Sequence, residues 1–259
     1  MWDPDVYQRY ARERGRPFDD LVAQVRAQAP RTVVDLGCGP GDRTATLLQR
    51  WPGAVVTGVD SSPEMVADAT GRAVPGRLEF VQADLRTWRS PEPVDVVLSN
   101  ATLQWLPDHL DLLPALVDAV APGGWLAFQV PADFAGPSHA LLAAQRLSTR
   151  WRDLVGAGAD RALAVHEPAV YLAALADLGL AVDVWETTYL HLLAGEDAVL
   201  EWTRGTALRP VLAALDEGEQ AEFLAEYGAA LRASYPRQPH GTVLPFRRIF
   251  AVAQRRQPH

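Results

Sequence analysis

The chain has no lysine: all 24 basic residues are arginine, set against 32 acidic ones, for a net charge of −8 over 259 residues. Nucleic-acid binders gather a basic excess into a patch, so this balance argues against nucleic acid as a partner. Each arginine still presents a planar fork suited to carboxylate or phosphate, which leaves room for a small anionic ligand held by a few converging guanidinium groups. Cysteine is almost absent: the lone Cys38 cannot close an internal disulfide, and nothing marks an oxidising compartment. Long apolar runs are missing too. The longest candidate, around Leu112 to Ala121, contains Pro114 and Asp118 and falls short of the roughly 20 residues of a membrane span. The stretch MWDPDVYQRYARERGRP carries charge from Asp3 onward and lacks the apolar segment of a signal peptide. These absences lead us to expect a cytoplasmic protein with no membrane partner. His109, His139, His166 and His240 show no metal-ligand spacing, so no metal is expected.

What is present reads as one large α/β domain, since 48% apolar residues suffice for a full core. Short β-rich runs alternate with helical patterns, the mark of a parallel sheet flanked by helices. Strands are predicted at Thr32 to Leu36, Ala54 to Val59, Leu78 to Gln82, Val94 to Ser99 and Trp125 to Val130. Helices are predicted at Gly41 to Trp51, Pro63 to Arg72 and Asp108 to Val120. The second half adds a helix at Glu167 to Leu178 and strands at Ala181 to His191 and Phe246 to Ala253. Helical material fills Ser138 to Leu154 and Glu196 to Tyr235, the latter too long for an ordinary connection. The expected organisation is a core over 1–131 with helical insertions over 132–180 and 192–245 forming a lid.

Residues 33 to 44, VVDLGCGPGDRT, place Gly37, Gly39 and Gly41 directly after a strand that ends near Asp35. Glycines there let the backbone turn sharply and approach a ligand that a Cβ would push away. A pyrophosphate site usually reads G-x-G-x-x-G and offers a helix N-terminus to the phosphates. Here the helix begins with Asp42, which repels phosphate but tolerates an ammonium, and Asp35 points the same way. Asp60 closes the second strand in VTGVDSS, where an acid accepts both ribose hydroxyls. Asp84 follows the third strand in FVQADL, where a carboxylate can accept an adenine amino group while the Leu85 backbone reads the ring edge. Each has a plainer reading: the glycines as a tight turn, Asp60 as a helix cap, Asp84 as a turn residue. In this order, each at a strand's carboxyl end, they describe a ligand of ribose, adenine and an amino-acid cation without phosphate. S-adenosyl-L-methionine has that composition, and S-adenosyl-L-homocysteine is what it leaves after giving up a methyl group.

The chain resembles class I methyltransferases over nearly its whole length. The segments WDPDVY, ERGRP, DLGCGPG, GVDSSPEM, NATLQWLPDH, VDVWETTYLH, LRP and FRRIF are similar to those of the bacterial trans-aconitate 2-methyltransferases, across residues 2 to 253. The resemblance implies a doubly wound, mostly parallel seven-stranded sheet with helical lid insertions, and an antiparallel final strand. It also implies methyl-ester formation on a small polycarboxylate by a monomeric enzyme. It adds Ser61, Met65, Asn100 and Arg16 to the cofactor residues, with Tyr7 and Arg14 folding over the same ligand; a solvated helix face explains the two arginines equally well.

In open α/β sheets ligands bind outside the carboxyl ends of the strands, where both insertions depart. Alternation puts Trp185, Tyr189 and His191 on one face of their strand. Candidate acceptor residues are therefore Tyr7, Trp105, Tyr189, His191, Arg209 and Arg248. Trp105 follows Asn100 past the fourth strand, near the expected position of the transferred methyl; core packing is its alternative. Arg209, in ALRP, stands near a helix boundary where capping of carbonyls is an equal reading. Arg248 shares a strand face with Phe246 and Phe250, as stacked structure or as a desolvated anion clamp, and either Arg247 or Arg248 can face the ligand. No catalytic base is expected, because a carboxylate is already ionised at neutral pH. The open alternative is a phenol or natural-product hydroxyl acceptor, for which His191 would serve as base.

Overall fold

The computed structural model describes residues 11–134, 136–155, 164–205 and 207–257. In chain order the elements are α1 (Ala11–Gln24), β1 (Thr32–Leu36), α2 (Asp42–Arg50), β2 (Val55–Asp60), α3 (Pro63–Thr70), β3 (Leu78–Gln82) and β4 (Val94–Asn100). A short 3-10 turn (Leu103–Trp105) leads to α4 (His109–Asp118) and β5 (Val120–Pro131). Then come α5 (Pro137–Arg146), α6 (Arg152–Val155), α7 (Pro168–Asp177) and β6 (Ala181–Leu193). The chain closes with α8 (Ala198–Arg204), α9 (Arg209–Leu212), α10 (Glu217–Ser234) and β7 (Thr242–Gln254).

The seven strands form one sheet in the order β3-β2-β1-β4-β5-β7-β6. Pairs β1–β2, β1–β4, β2–β3 and β4–β5 are parallel. β7 runs against β5: Ala132 N–H donates to Arg247 O at 2.9 Å and Arg255 N–H to Gly124 O at 2.9 Å, so one strand ascends as the other descends. The central strands are buried on both faces and read as unbroken apolar runs such as Val96, Val97 and Leu98. Ser62 illustrates how sequence places an element: its hydroxyl accepts from Met65 N–H at 3.3 Å and Pro63 opens α3, a capped start with a proline where no N–H is needed.

Two compact units divide the chain. The first comprises Gly15–Pro131, Leu163–Thr187 and Ile249–His259; it holds β1 to β5 with α2 to α4 and α7. Arg255 fastens its last strand, its guanidinium donating to the carbonyls of Val117, Asp118 and Val120 at the end of α4. The second comprises Met1–Arg14, Ala132–Ala162 and Thr188–Arg248, with α5, α6 and α8 to α10. It has its own core of Trp151, Leu142, Trp202, Val211, Phe223, Tyr227 and Leu244. A capping box at Asp216 and Glu219 starts α10, and Tyr227 OH donates to Ser138 O while Ser138 N–H donates to Tyr235 OH, tying α10 to α5.

Two expectations change. The insertion expected over 132–180 is divided, because 163–180 groups with the sheet and α7 packs there through fully buried Tyr171 and Leu175. β5 starts at Val120, before the predicted Trp125, since Pro122, Gly123 and Gly124 read as breakers, yet both glycines pair with Arg255. α1 carries Pro17 within it.

Candidate functional site

The glycine loop leaves β1 and turns back at once, with Gly37 and Cys38 N–H both donating to Val59 O at 2.7 and 3.0 Å. Gly37, Gly39 and Gly41 all take positive φ, a conformation that only glycine adopts without strain. Their surroundings differ. A Cβ on Gly37 would collide with Thr102, and one on Gly41 would meet the Phe80 ring at 2.7 Å, whereas one on Gly39 finds nothing within 4 Å. Two of the glycines therefore serve packing, and Gly39 alone faces open space.

Asp60 is the junction of this cradle. Its carboxylate accepts from Gly39 N–H at 2.9 Å through one oxygen and from Ser62 N–H at 2.9 Å through the other, linking the glycine loop to the start of α3. Ser61 is exposed beside it and Met65 half-buried one turn on. Asp35 is 2% exposed; its Oδ2 accepts from Thr44 Oγ1 at 2.6 Å, and its Oδ1 is buried with no hydrogen-bond partner. Burial pushes this carboxyl up to about 6, the Thr44 hydroxyl opposes that, and the charge of Asp60 adds to it. An orphaned buried carboxylate oxygen fits a cationic ligand group. Asp84, beyond β3, accepts from the backbone and guanidinium of Arg86, which hold its carboxyl down to about 2. Both of its oxygens are taken up by Arg86, so a ligand amine reaches Asp84 by sharing or displacing one of those bonds. Leu85 beside it is buried. Asp42, expected to repel phosphate, is ion-paired with Arg72, so the chemistry of the acids at 35, 60 and 84 is the better argument.

Asn100 ends β4, its Oδ1 accepting from Gln129 Nε2 at 2.8 Å. The loop beyond it is strained at Ala101, the only non-glycine with positive φ among the described residues. Thr102 Oγ1 donates within this loop to Gly37 O at 3.3 Å, setting Trp105, 47% exposed, on a turn that abuts the glycine loop. Arg16 lies exposed on α1 beside Asp20 at 3.6 Å. Cys38 is buried, its thiol pushed up by burial and by the charges of Asp35 and Asp60. The residues that would hold an adenosyl amino acid are thus one connected set: Gly39, Asp60, Asp35 and Asp84.

In the second unit three of the six acceptor candidates gather at Phe246: Arg248, His191 and, through His191, Tyr189. Arg248 is 7% exposed, its guanidinium 5.0 Å from the Phe246 ring centre. His191 stacks on Trp202 at 4.9 Å, lies 6.1 Å from Phe246 and stacks with Tyr189 at 6.1 Å. Arg247, half-buried, gives its backbone to β5 instead. Arg209 is exposed at the start of α9. Tyr7 and the side chain of Arg14 lie outside the described residues. The sequence reading missed Asp133. Asp133, just past β5, lies beside Arg247 of β7. Burial raises the Asp133 carboxyl to about 6 although the Arg247 N–H donates to it. Only a counted register against β7 reveals it.

A family model described as a methyltransferase domain matches residues 33–124. The trans-aconitate 2-methyltransferase of Streptomyces avermitilis is 54% identical over 260 residues, covering 98% of this chain and 97% of that one. The enzyme of that name from Rhodococcus jostii is 48% identical over 256 residues, covering 98% and 99%. The chain belongs to the trans-aconitate 2-methyltransferase family. Among solved structures, the YcgJ protein of Bacillus subtilis aligns with a TM-score of 0.63 at 13% identity, covering 94% of this chain and 99% of that one. Geranyl diphosphate C-methyltransferase from Streptomyces coelicolor aligns with a TM-score of 0.57 at 17% identity, covering 96% and 82%. At such identities the likeness concerns the fold, which is that of the class I methyltransferases. No helix among the described residues is long and apolar enough to cross a membrane.

Proposed function

We propose that this member of the family is an S-adenosylmethionine-dependent methyltransferase that esterifies one carboxylate of a small tricarboxylate, trans-aconitate. The supporting observation is that identity near 50% to relatives of that name runs over 98% of the chain, so it includes the second unit, where Arg248, His191 and Tyr189 stand, as well as the widely shared cofactor cradle.

When bound, S-adenosylmethionine supplies an electrophilic methyl on a sulfonium. Asp60 accepts the ribose hydroxyls while Gly39 lets the backbone come close, and Asp84 takes the adenine amino group. Asp35 neutralises the amino-acid cation with its orphaned oxygen. On the acceptor side Arg248 and Arg209 hold carboxylates, and burial over the Phe246 ring excludes water around Arg248, where a charge-assisted hydrogen bond is stronger. Trp105 and Asn100 border the transferred methyl. A carboxylate is ionised at neutral pH, so alignment and electrostatic setting are what the protein contributes, and no side chain removes a proton.

Mass spectrometry of products from a panel of polycarboxylates and phenols with the cofactor tests the reading. A mass gain of one methyl on trans-aconitate, removed by mild ester hydrolysis, is expected; methylation confined to phenols would replace the carboxylate with a hydroxyl acceptor.

A further inference from the structure

Buried behind the loop that carries Trp105 is a polar chain that the proposed chemistry does not use. His109, at the start of α4, is 0% exposed. Its Nδ1 lies 2.9 Å from Leu106 O and its Nε2 2.9 Å from Tyr171 OH on α7. Tyr171, also 0% exposed, accepts from His166 N–H at 3.2 Å. A carbonyl can only accept, so Nδ1 carries the imidazole proton. Nε2 is then an acceptor, and the tyrosine hydroxyl donates to it. The direction of every bond follows: His166 N–H to Tyr171 O, Tyr171 O–H to His109 Nε2, His109 Nδ1–H to Leu106 O. Ala164 N–H adds a parallel tie to Gln104 O at 3.1 Å. Residues 164–166 thereby hold the turn at 104–106 from behind while Thr102 holds it against Gly37 in front.

We infer that His109 and Tyr171 are positioning residues for methyl transfer, locking the Trp105 turn against the glycine loop, and that the lock holds only while His109 is uncharged. A second proton would sit on Nε2 and face the tyrosine hydroxyl. Tyr171 would then receive from both His166 and His109, and its own proton would lose its acceptor in a pocket closed by the Phe128 ring at 5.4 Å. The groups facing His109 are few, and of them only the Leu106 carbonyl favours that charge. They are the His166 ring at 5.3 Å from the connection before α7, Tyr171 from α7 and the Leu106 carbonyl from the preceding turn. Burial and His166 both hold the imidazole below its ordinary value, with the Leu106 carbonyl opposing them, so the lock is intact at neutral pH and opens on acidification.

The inference rests on the methyltransferase reading, and two measurements keep them apart. Hydrogen exchange of the wild-type protein, corrected for the intrinsic pH dependence, is followed between pH 5 and 8. Segments 101–108 and 164–171 are expected to lose protection together as pH falls while 33–36 keeps its own; equal corrected protection at both ends overturns the lock whatever the substrate. Tyr171→Phe keeps the ring and removes the relay. It is expected to lower kcat/KM for the tricarboxylate about tenfold at neutral pH, with dissociation of S-adenosylhomocysteine moving less than about twofold. It should also abolish the acid-side fall that the wild type shows below the imidazole range. A variant with unchanged kcat/KM, or with the acid limb intact, overturns the positioning role. Failure of the wild type to methylate any polycarboxylate would overturn the functional reading and leave the exchange result standing.

Discussion

The glycine cradle and the Phe246 cluster, to which we assign the cofactor and the acceptor, are built from different materials. In the cradle, carboxylates are fixed by backbone N–H groups: Asp60 is held by Gly39 and Ser62, Asp84 by Arg86. In the cluster, a cation is embedded among rings, Arg248 over Phe246 with Trp202 and His191 beside it. A neutral-to-cationic nucleoside calls for acceptors at set spacings along strand ends. A small polyanion calls for desolvated guanidinium, which gains specificity from what surrounds it rather than from its place in the chain.

Substitutions on the two sides should therefore separate cleanly. The largest effect is expected from Asp60→Ala, which removes two hydrogen bonds to a charged acceptor, each worth about 1.5 to 3 kcal/mol. The dissociation constant of S-adenosylhomocysteine, measured by calorimetry, should rise by about 10² to 10⁴-fold on that basis. An unchanged constant removes Asp60 from the site.

Arg248→Met comes next. Use of the tricarboxylate should fall roughly ten- to a hundredfold, from the same energy range for one charge-assisted contact, with cofactor binding nearly untouched. Equal losses for both ligands would assign Arg248 to the fold and erase the contrast between the two regions.

Asp35→Asn sharpens the comparison through stability. The Asp35 carboxyl titrates near 6 in the folded chain, above its ordinary value, so the folded state holds a proton that the unfolded state releases between about pH 4 and 6. Stability is lost as pH rises through that window and stays lower above it. The Asn variant escapes that loss. Its ligand-free melting temperature at pH 8 should exceed the wild type's, by an amount equivalent to something on the order of 2 kcal/mol, and the gap should close near pH 4. Its affinity for S-adenosylhomocysteine should drop. A variant no more stable at pH 8 than the wild type would show that the buried carboxylate is satisfied without ligand.

The smallest effect is expected at His191. With both ligands saturating, single-turnover methyl transfer should be flat between about pH 6.5 and 9, far above a carboxyl pKa, and His191→Gln should reduce the rate without changing the shape. A rate that climbs tenfold per pH unit to a plateau, with the climb abolished in the variant, would make His191 a general base and favour a hydroxyl acceptor.

How far residues alone can be read follows from the same contrast. β1 and β3 match their predicted spans, β2 is shifted by one residue at both ends and β4 is longer by one, because apolar runs bounded by turn residues carry their own boundaries. Asp35, Gly39, Asp60 and Asp84 were legible because their order along successive strand ends is itself the signal. Asp133 was not, since its link to Arg247 depends on an antiparallel pairing spanning more than a hundred residues. The division of the first insertion was equally hidden: α7 looks like any amphipathic helix until Tyr171 is seen beside Phe128 and His109. The different duties of Gly37, Gly39 and Gly41 also needed their neighbours, Thr102 and Phe80.

Cys38 sits in the middle of that loop, its thiol held protonated by burial first and by the charges of Asp35 and Asp60 after it. Since the chain contains one cysteine, the whole labelling signal from a thiol-reactive dye comes from this one sulfur. Its reaction rate becomes a clock for opening of the cradle, readable without introducing a probe or altering a residue.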